Sequence, residues 1–233
     1  MSRYKYILID LDDTLIDFAA AQRQTFFETM KHFGVASSED SFSDYKVINN
    51  DLWLAYEKSE ISKEDVFFLR WQRFFKNAEK KLPATKVNQF FLRHLGEQPI
   101  LFSGAIEFCR RLAECHKLVL VTNGDSATQR MKVDNSGLAP YIHAYAISDE
   151  VGAAKPDSRI FVEALKAVGA SDKKSVLMIG DNIHADVIGA MEFGIDVCWF
   201  NPRRLAVPDG VTIPFAAISA TRHNKNVQLL SRE

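Results

Sequence analysis

Cysteine is scarce in this chain, and its three copies, Cys109, Cys115 and Cys198, are not set for pairing. Cys109 and Cys115 fall on different faces of one expected helix, 104–115, where a bridge would be badly placed. That usage points to a reducing compartment. No Cys/His spacing of the zinc-binding kind occurs. Long apolar runs are missing too: no stretch reaches the roughly 20 residues that a membrane-spanning helix needs. Nor is there an excess of one charge, since 29 Lys and Arg stand against 30 Asp and Glu, a formal net charge of −1. With no extended basic run, a polynucleotide partner is not expected, although a single nucleotide needs no such field. Repeats and low-complexity tracts are absent, which removes solenoids and disordered arrays. Met1 to Lys5 run straight into an apolar strand without a leader-like segment, so a cytoplasmic protein is expected.

The 233 residues, 47% of them hydrophobic, suffice for one large domain or a catalytic domain with a smaller companion. Periodicity decides for the second. Tyr6-Ile7-Leu8-Ile9 reads as a strand, after which helical spacing persists for about 80 residues. Phe26, Met30 and Phe33 recur at helical spacing ahead of Gly34, a left-handed stop. A second helix is expected over 40–58. A third starts at Ser62, where Ser62 and Asp65 resemble a capping box with Asp in place of Glu. It carries Phe67, Phe68, Trp71, Phe74 and Phe75. A fourth runs from near Pro83 to about Gly96. From about residue 100 the pattern alternates: helix 104–115, strand 117–121, helix 126–137, strand 144–148, helix 158–168, strand 175–179, a helix ending at Gly194, and strand 195–200. The tail holds a possible strand at 213–218. Short apolar strands alternating with helices imply an α/β fold, a parallel sheet with helices on both faces. Core segments 1–16 and 98–233 are thus interrupted by an all-helical insertion, 17–97. An insertion at the carboxyl end of a strand lands over the crevice where such sheets bind ligands, so it is read as a lid.

Polar residues cluster at the strand ends. Asp10-Leu11-Asp12-Asp13-Thr14 follows the first strand, and alternation puts Asp10 and Asp12 on one side, close enough for their carboxylates to share a metal ion. Thr122-Asn123 closes the second strand, Lys155 lies in the loop 152–156, and Asp181, followed by Asp186, closes a later strand. Each has a plain structural alternative: a polar turn, a helix cap, a solvated lysine, or acids favouring a helix dipole. Independent turns would not be expected to gather three carboxylates, a lysine and a hydroxyl at one sheet edge. The set suits phosphoryl transfer. Asp10 can act as a nucleophile. Asp12 can protonate the leaving alkoxide and then deprotonate water. Asp10, Asp181 and the main-chain carbonyl of Asp12 offer an all-oxygen site for Mg2+. Thr122, Asn123 and Lys155 would bind the phosphate, and Asp186 could orient Lys155 or a metal-bound water.

Taken in order, Asp10-x-Asp12-x-Thr14, Thr122-Asn123, Lys155-Pro156 and Gly180-Asp181-x4-Asp186 resemble the four motifs of the haloacid dehalogenase superfamily. The resemblance covers almost the whole chain, and the helical insertion is similar to that family's C1 cap. It implies a Rossmann-like core, Mg2+ dependence and an aspartyl-phosphate intermediate. Asp13 departs from the pattern, since many members carry Gly there. Members that dehalogenate lack the second aspartate, so Asp12 favours a phosphatase or phosphomutase. Residues 151–161, 178–186 and 198–202 resemble the noncanonical pyrimidine 5′-nucleotidase group, which implies a nucleoside monophosphate as the small phosphorylated substrate. Phosphatases of sugar phosphates or acylneuraminate phosphates, and a phosphomutase, are alternatives within the family. A receiver-like signalling domain is the alternative outside it, but no phosphoacceptor Asp precedes Thr122 and Asp181 would lack a role. Selection of the leaving group would fall to the insertion, where Arg23 or Arg70 could reach a polar edge. Its aromatics fit a core better than a ligand site.

Overall fold

The computed structural model describes residues 3–77 and 82–207. The chain divides into two compact units, Phe18–Pro99 and Met1–Asp17 with Ile100–Glu233. In the first, α1 (Phe18–His32), α2 (Glu39–Glu57), α3 (Lys63–Phe74) and α4 (Ala84–Glu97) account for the helical periodicity. Ser62 and Asp65 form the expected reciprocal cap of α3, and Ser38 with Ser41 does the same for α2. The helices close on an aromatic core in which Tyr45 sits 5.1 Å from Phe26 and 4.9 Å from Trp71, and Trp71 5.3 Å from Phe91, ring centre to ring centre. Trp71 and Phe75 are buried as expected, while Phe68 is exposed.

The second unit is built on five parallel strands: β1 (Tyr6–Ile9), β2 (Lys117–Thr122), β3 (Ile142–Ile147), β4 (Val176–Gly180) and β5 (Asp196–Trp199). They lie in the order β3-β2-β1-β4-β5. Central β1 aligns Ile9 with Leu120 on one side and with Ile179 on the other. The two-residue period of the strands sorts their side chains into two cores. Ile7, Ile9, Leu118, Leu120, Leu177 and Ile179 pack with Cys109 and Leu112 of α5 (Ala105–Ala113) and Val133 of α6 (Ser126–Ser136). Leu8, Val119, Val121, Met178 and Val197 pack on the other face. After the short helix α7 (Ser148–Val151), α8 (Ser158–Val168) covers that face with Ile160, Phe161, Ala164 and Leu165. The connections run from β1 to β2 and β3, then cross back to β4 and β5. The winding therefore reverses between β1 and β4, where sheets of this kind open a crevice beyond their carboxyl ends.

Several boundaries differ from the sequence-based reading. Thr122 belongs to β2, paired beside Ile147. The helix expected up to Gly194 opens as a wider π-helical segment, Ile183–Ile188, before α9 (Gly189–Phe193). Helix α5 stops at Ala113, which leaves Cys115 exposed outside it. The possible strand at 213–218 lies outside the described residues. The loop after β1 is tightly bonded, with Leu15 and Ile16 N–H both on the Leu11 carbonyl and Asp17 N–H on that of Ile100 at 2.7 Å. Among the described residues, no helix is long and apolar enough to cross a membrane.

Candidate active site

Strand β1 ends at Ile9, and the Asp10 N–H extends its ladder to the Ile179 carbonyl of β4 at 2.9 Å. Buried beside it is the Lys155 ammonium, 2.5 Å from Asp10 Oδ1, 2.7 Å from Asp186 Oδ1 and 2.8 Å from the Val121 carbonyl. Asn123 positions this lysine: its Oδ1 accepts the Lys155 N–H at 2.7 Å and its Nδ2 donates to the Lys155 carbonyl at 2.9 Å. Asp186 reaches the cluster because residue 180 has no side chain. A Cβ on Gly180 would lie 2.3 Å from Asp186 Oδ2. That oxygen also accepts the Asn182 N–H at 3.0 Å, while Asn182 Oδ1 caps the π-helical segment from the N–H groups of His184 and Ala185. Asp181 is anchored through its carbonyl, which accepts the Trp199 indole N–H at 2.8 Å.

Asp10, Asp181 and Asp186 bring carboxylate oxygens within 4.8 Å of one another. Three carboxylates thus face one ammonium in a largely dry site. Burial pushes Asp181 up to about 9, with repulsion from Asp10 and Asp186 adding to it. Burial likewise raises Asp10 to about 7, although Lys155 pulls the other way. For Lys155 burial opposes the charge, but Asp10 and Asp186 outweigh it and the ammonium is held above its ordinary range. A site that disfavours its own ionised carboxyls in this way fits a divalent cation with hard oxygen ligands.

The carboxylate of Asp12 is not one of the three that lie within 4.8 Å of one another. Instead Lys132 Nζ holds it at 2.7 and 2.9 Å, and Gln129 Nε2 donates to it at 2.9 Å. The third carboxylate of the cluster is that of Asp186, which also lies 2.7 Å from Lys155 Nζ. Gln129 Nε2 donates in addition to Thr122 Oγ1 at 2.6 Å. The Asn123 side chain, expected near phosphate, is committed to the Lys155 backbone. Sequence reasoning missed Gln129 and Lys132; the one available signal was their shared face, three residues apart on the helix after Thr122-Asn123-Gly124.

Two further expectations are resolved. Asp13 adopts φ 61°, a left-handed conformation that Gly takes freely and Asp tolerates, and its carboxylate pairs with Arg203 at 2.7 Å. In the helical unit, Arg70 is only 3% exposed. Its guanidinium donates to Asn88 and, at 3.2 Å, to Asn49, so it belongs to that unit's core. Arg23 is exposed and pairs with Glu39.

A family model described as haloacid dehalogenase-like hydrolase matches residues 4–194. The chain is 34% identical over 204 residues to the pyrimidine 5′-nucleotidase PynA of Streptococcus pneumoniae, covering 87% of this chain and 86% of that protein. It is 30% identical over 212 residues to the pyrimidine 5′-nucleotidase YjjG of Escherichia coli, covering 90% and 91%. Among solved structures it resembles the magnesium-bound HAD-hydrolase YfnB of Bacillus subtilis, with a TM-score of 0.85 at 29% identity over 91% of this chain and 93% of that one.

Proposed function

The chain belongs to the haloacid dehalogenase-like hydrolases, and from that membership we propose that it is a Mg2+-dependent phosphomonoesterase acting on nucleoside 5′-monophosphates, pyrimidine ones foremost. The observation that carries the phosphatase reading is the second acid, Asp12, which has its own partners in Lys132 and Gln129 while Lys155 bridges Asp10 and Asp186. A separate proton carrier is useful when the departing group is an alkoxide. The nucleotide substrate is supported by the likeness to PynA and YjjG over most of both chains.

In this mechanism an Asp10 carboxylate oxygen attacks phosphorus, the bond from phosphorus to the ester oxygen breaks, and Asp12 passes a proton to that oxygen. Water then attacks the phosphorus of the aspartyl phosphate. Asp12 takes the water proton, the bond to Asp10 breaks, and phosphate leaves with Asp10 restored. Lys155 supplies positive charge for the phosphate oxygens while Asn123 fixes its backbone, and the Thr122 hydroxyl is a further donor. Asp10, Asp181 and the Asp12 main-chain carbonyl would hold Mg2+, with Asp186 beside them. When bound, the cation offsets repulsion between the phosphate and these carboxylates. The helical unit Phe18–Pro99 is the cap of this reading, a boundary supported by the division of the chain at Asp17 and Ile100.

The test is phosphate release from a panel of nucleoside monophosphates and sugar phosphates, with and without Mg2+, using Asp10→Asn as the blank. Activity on pyrimidine monophosphates is expected, lost in the blank and on chelation. Release by Asp10→Asn at the wild-type rate would remove the nucleophile assignment. Turnover of sugar phosphates alone would keep the chemistry and reject the nucleotide substrate.

A further inference from the structure

The side chains of Gln129 and Lys132 form a buried polar arm behind Asp12 and Thr122. They lie three residues apart on one face of α6. The Lys132 side chain is 2% exposed, whereas that of Asp12, which it grips through both oxygens, is 26% exposed. The ion pair is therefore dry on the lysine side and open on the aspartate side. A carboxylate can only accept, so the amide nitrogen of Gln129 must face Asp12. The same nitrogen reaches Thr122 Oγ1, which also accepts the Gly124 N–H at 3.4 Å. A hydroxyl whose lone pairs accept from these groups keeps its own proton to donate elsewhere. Gln129 reaches both partners only because residue 124 is glycine: a Cβ there would lie 2.4 Å from Gln129 Cδ.

We propose that Gln129 and Lys132 are positioning residues for proton transfer. Lys132 aims the Asp12 carboxyl, and Gln129 couples that aim to the donor direction of the Thr122 hydroxyl at the end of β2. The idea rests on the phosphomonoesterase reading with Asp12 as the proton carrier. It adds that Asp12 works from a seat supplied by α6, 117 and 120 positions away in sequence. Loss of the seat therefore harms substrates in proportion to their need for a proton. An ester that leaves as a stable phenolate needs little help, whereas one with a basic leaving oxygen needs much.

The experiment measures kcat/KM of the Mg2+-supplemented enzyme across a series of substituted phenyl phosphates, from 4-nitrophenyl to unsubstituted phenyl, for wild type, Asp12→Asn, Lys132→Met and Gln129→Leu. Folding of each variant is checked by thermal unfolding, and two separate arm variants keep the test alive if one does not fold. The expected result is a steeper dependence on leaving-group pKa in all three variants. For Lys132→Met the loss on phenyl phosphate should exceed that on 4-nitrophenyl phosphate by about tenfold. A purely structural role lowers both equally. Equal losses in both arm variants, with Asp12→Asn still steeper, would overturn the positioning role and leave the reading of Asp12 standing. A flat Asp12→Asn series would overturn both.

Discussion

At the scale of single residues, two glycines shape the site as much as its charged groups do. Gly180 leaves the space that Asp186 occupies, and Gly124 leaves the space for Gln129. Gly180→Ala is expected to push Asp186 away from Lys155, costing about 1–3 kcal/mol of stability and about tenfold or more in phosphate release. Urea unfolding with a parallel rate measurement tests this; a variant with wild-type values for both would show that Asp186 moves at no cost. The acids and the lysine of the site were legible as types, because carboxylates at successive strand ends are hard to explain as turns. Gln129 and Lys132 were not legible, since a glutamine and a lysine on a helix look like a solvated face. Arg70 misleads in the opposite direction: a basic residue available in sequence lies among Asn49, Asn88 and aromatic rings.

At the scale of elements, helix α6 carries the Asp12 seat, and its start is set by Asp125. The carboxylate of Asp125 accepts the Thr128 N–H at 2.8 Å and the Thr128 hydroxyl at 2.6 Å. Asp125→Ala should cost about 1 kcal/mol in chemical denaturation, and an unchanged midpoint would mean that tertiary packing alone holds the first turn. Caps and stops were the most readable features, as with Ser62 before α3 and Gly169 after α8, because they depend on neighbouring residues. The π-helical segment after Asn182 was unreadable for the converse reason. It accompanies the return of Asp186 to the Asn182 N–H and to Lys155, and periodicity in Ile183–Ile188 carries no trace of those partners.

At the scale of the whole molecule, the acidic group ties stability to pH and to metal. Raised carboxyl pKa values mean that the folded, metal-free protein keeps protons that its unfolded chain releases. Stability from these groups is therefore present at acid pH and is lost as pH rises through about 7 for Asp10 and about 9 for Asp181. A cation competing with those protons binds more tightly as they leave. Mg2+ should barely change Tm near about pH 5.5 and should raise it by about 4 °C near about pH 8.5. Calorimetry at the two pH values checks this, and equal shifts would sever the link between cation and protons. The sequence by itself determined the alternation of strands and helices, the helical insertion and the kinds of group at the strand ends, since these follow from local periodicity and residue chemistry. Tertiary structure alone decided that Lys132 and Gln129 meet Asp12 and that the Asn123 side chain is spent on the Lys155 backbone. Lys155 and Asp10 are 145 positions apart, and Lys132 and Asp12 are 120 apart. The parallel stacking of β3, β2, β1 and β4, with the helix after β2 and the loop between α7 and α8, brings such distant groups within hydrogen-bonding range. That is why the Asp12 carboxylate, read from sequence beside Asp10, meets a lysine to which local periodicity did not point.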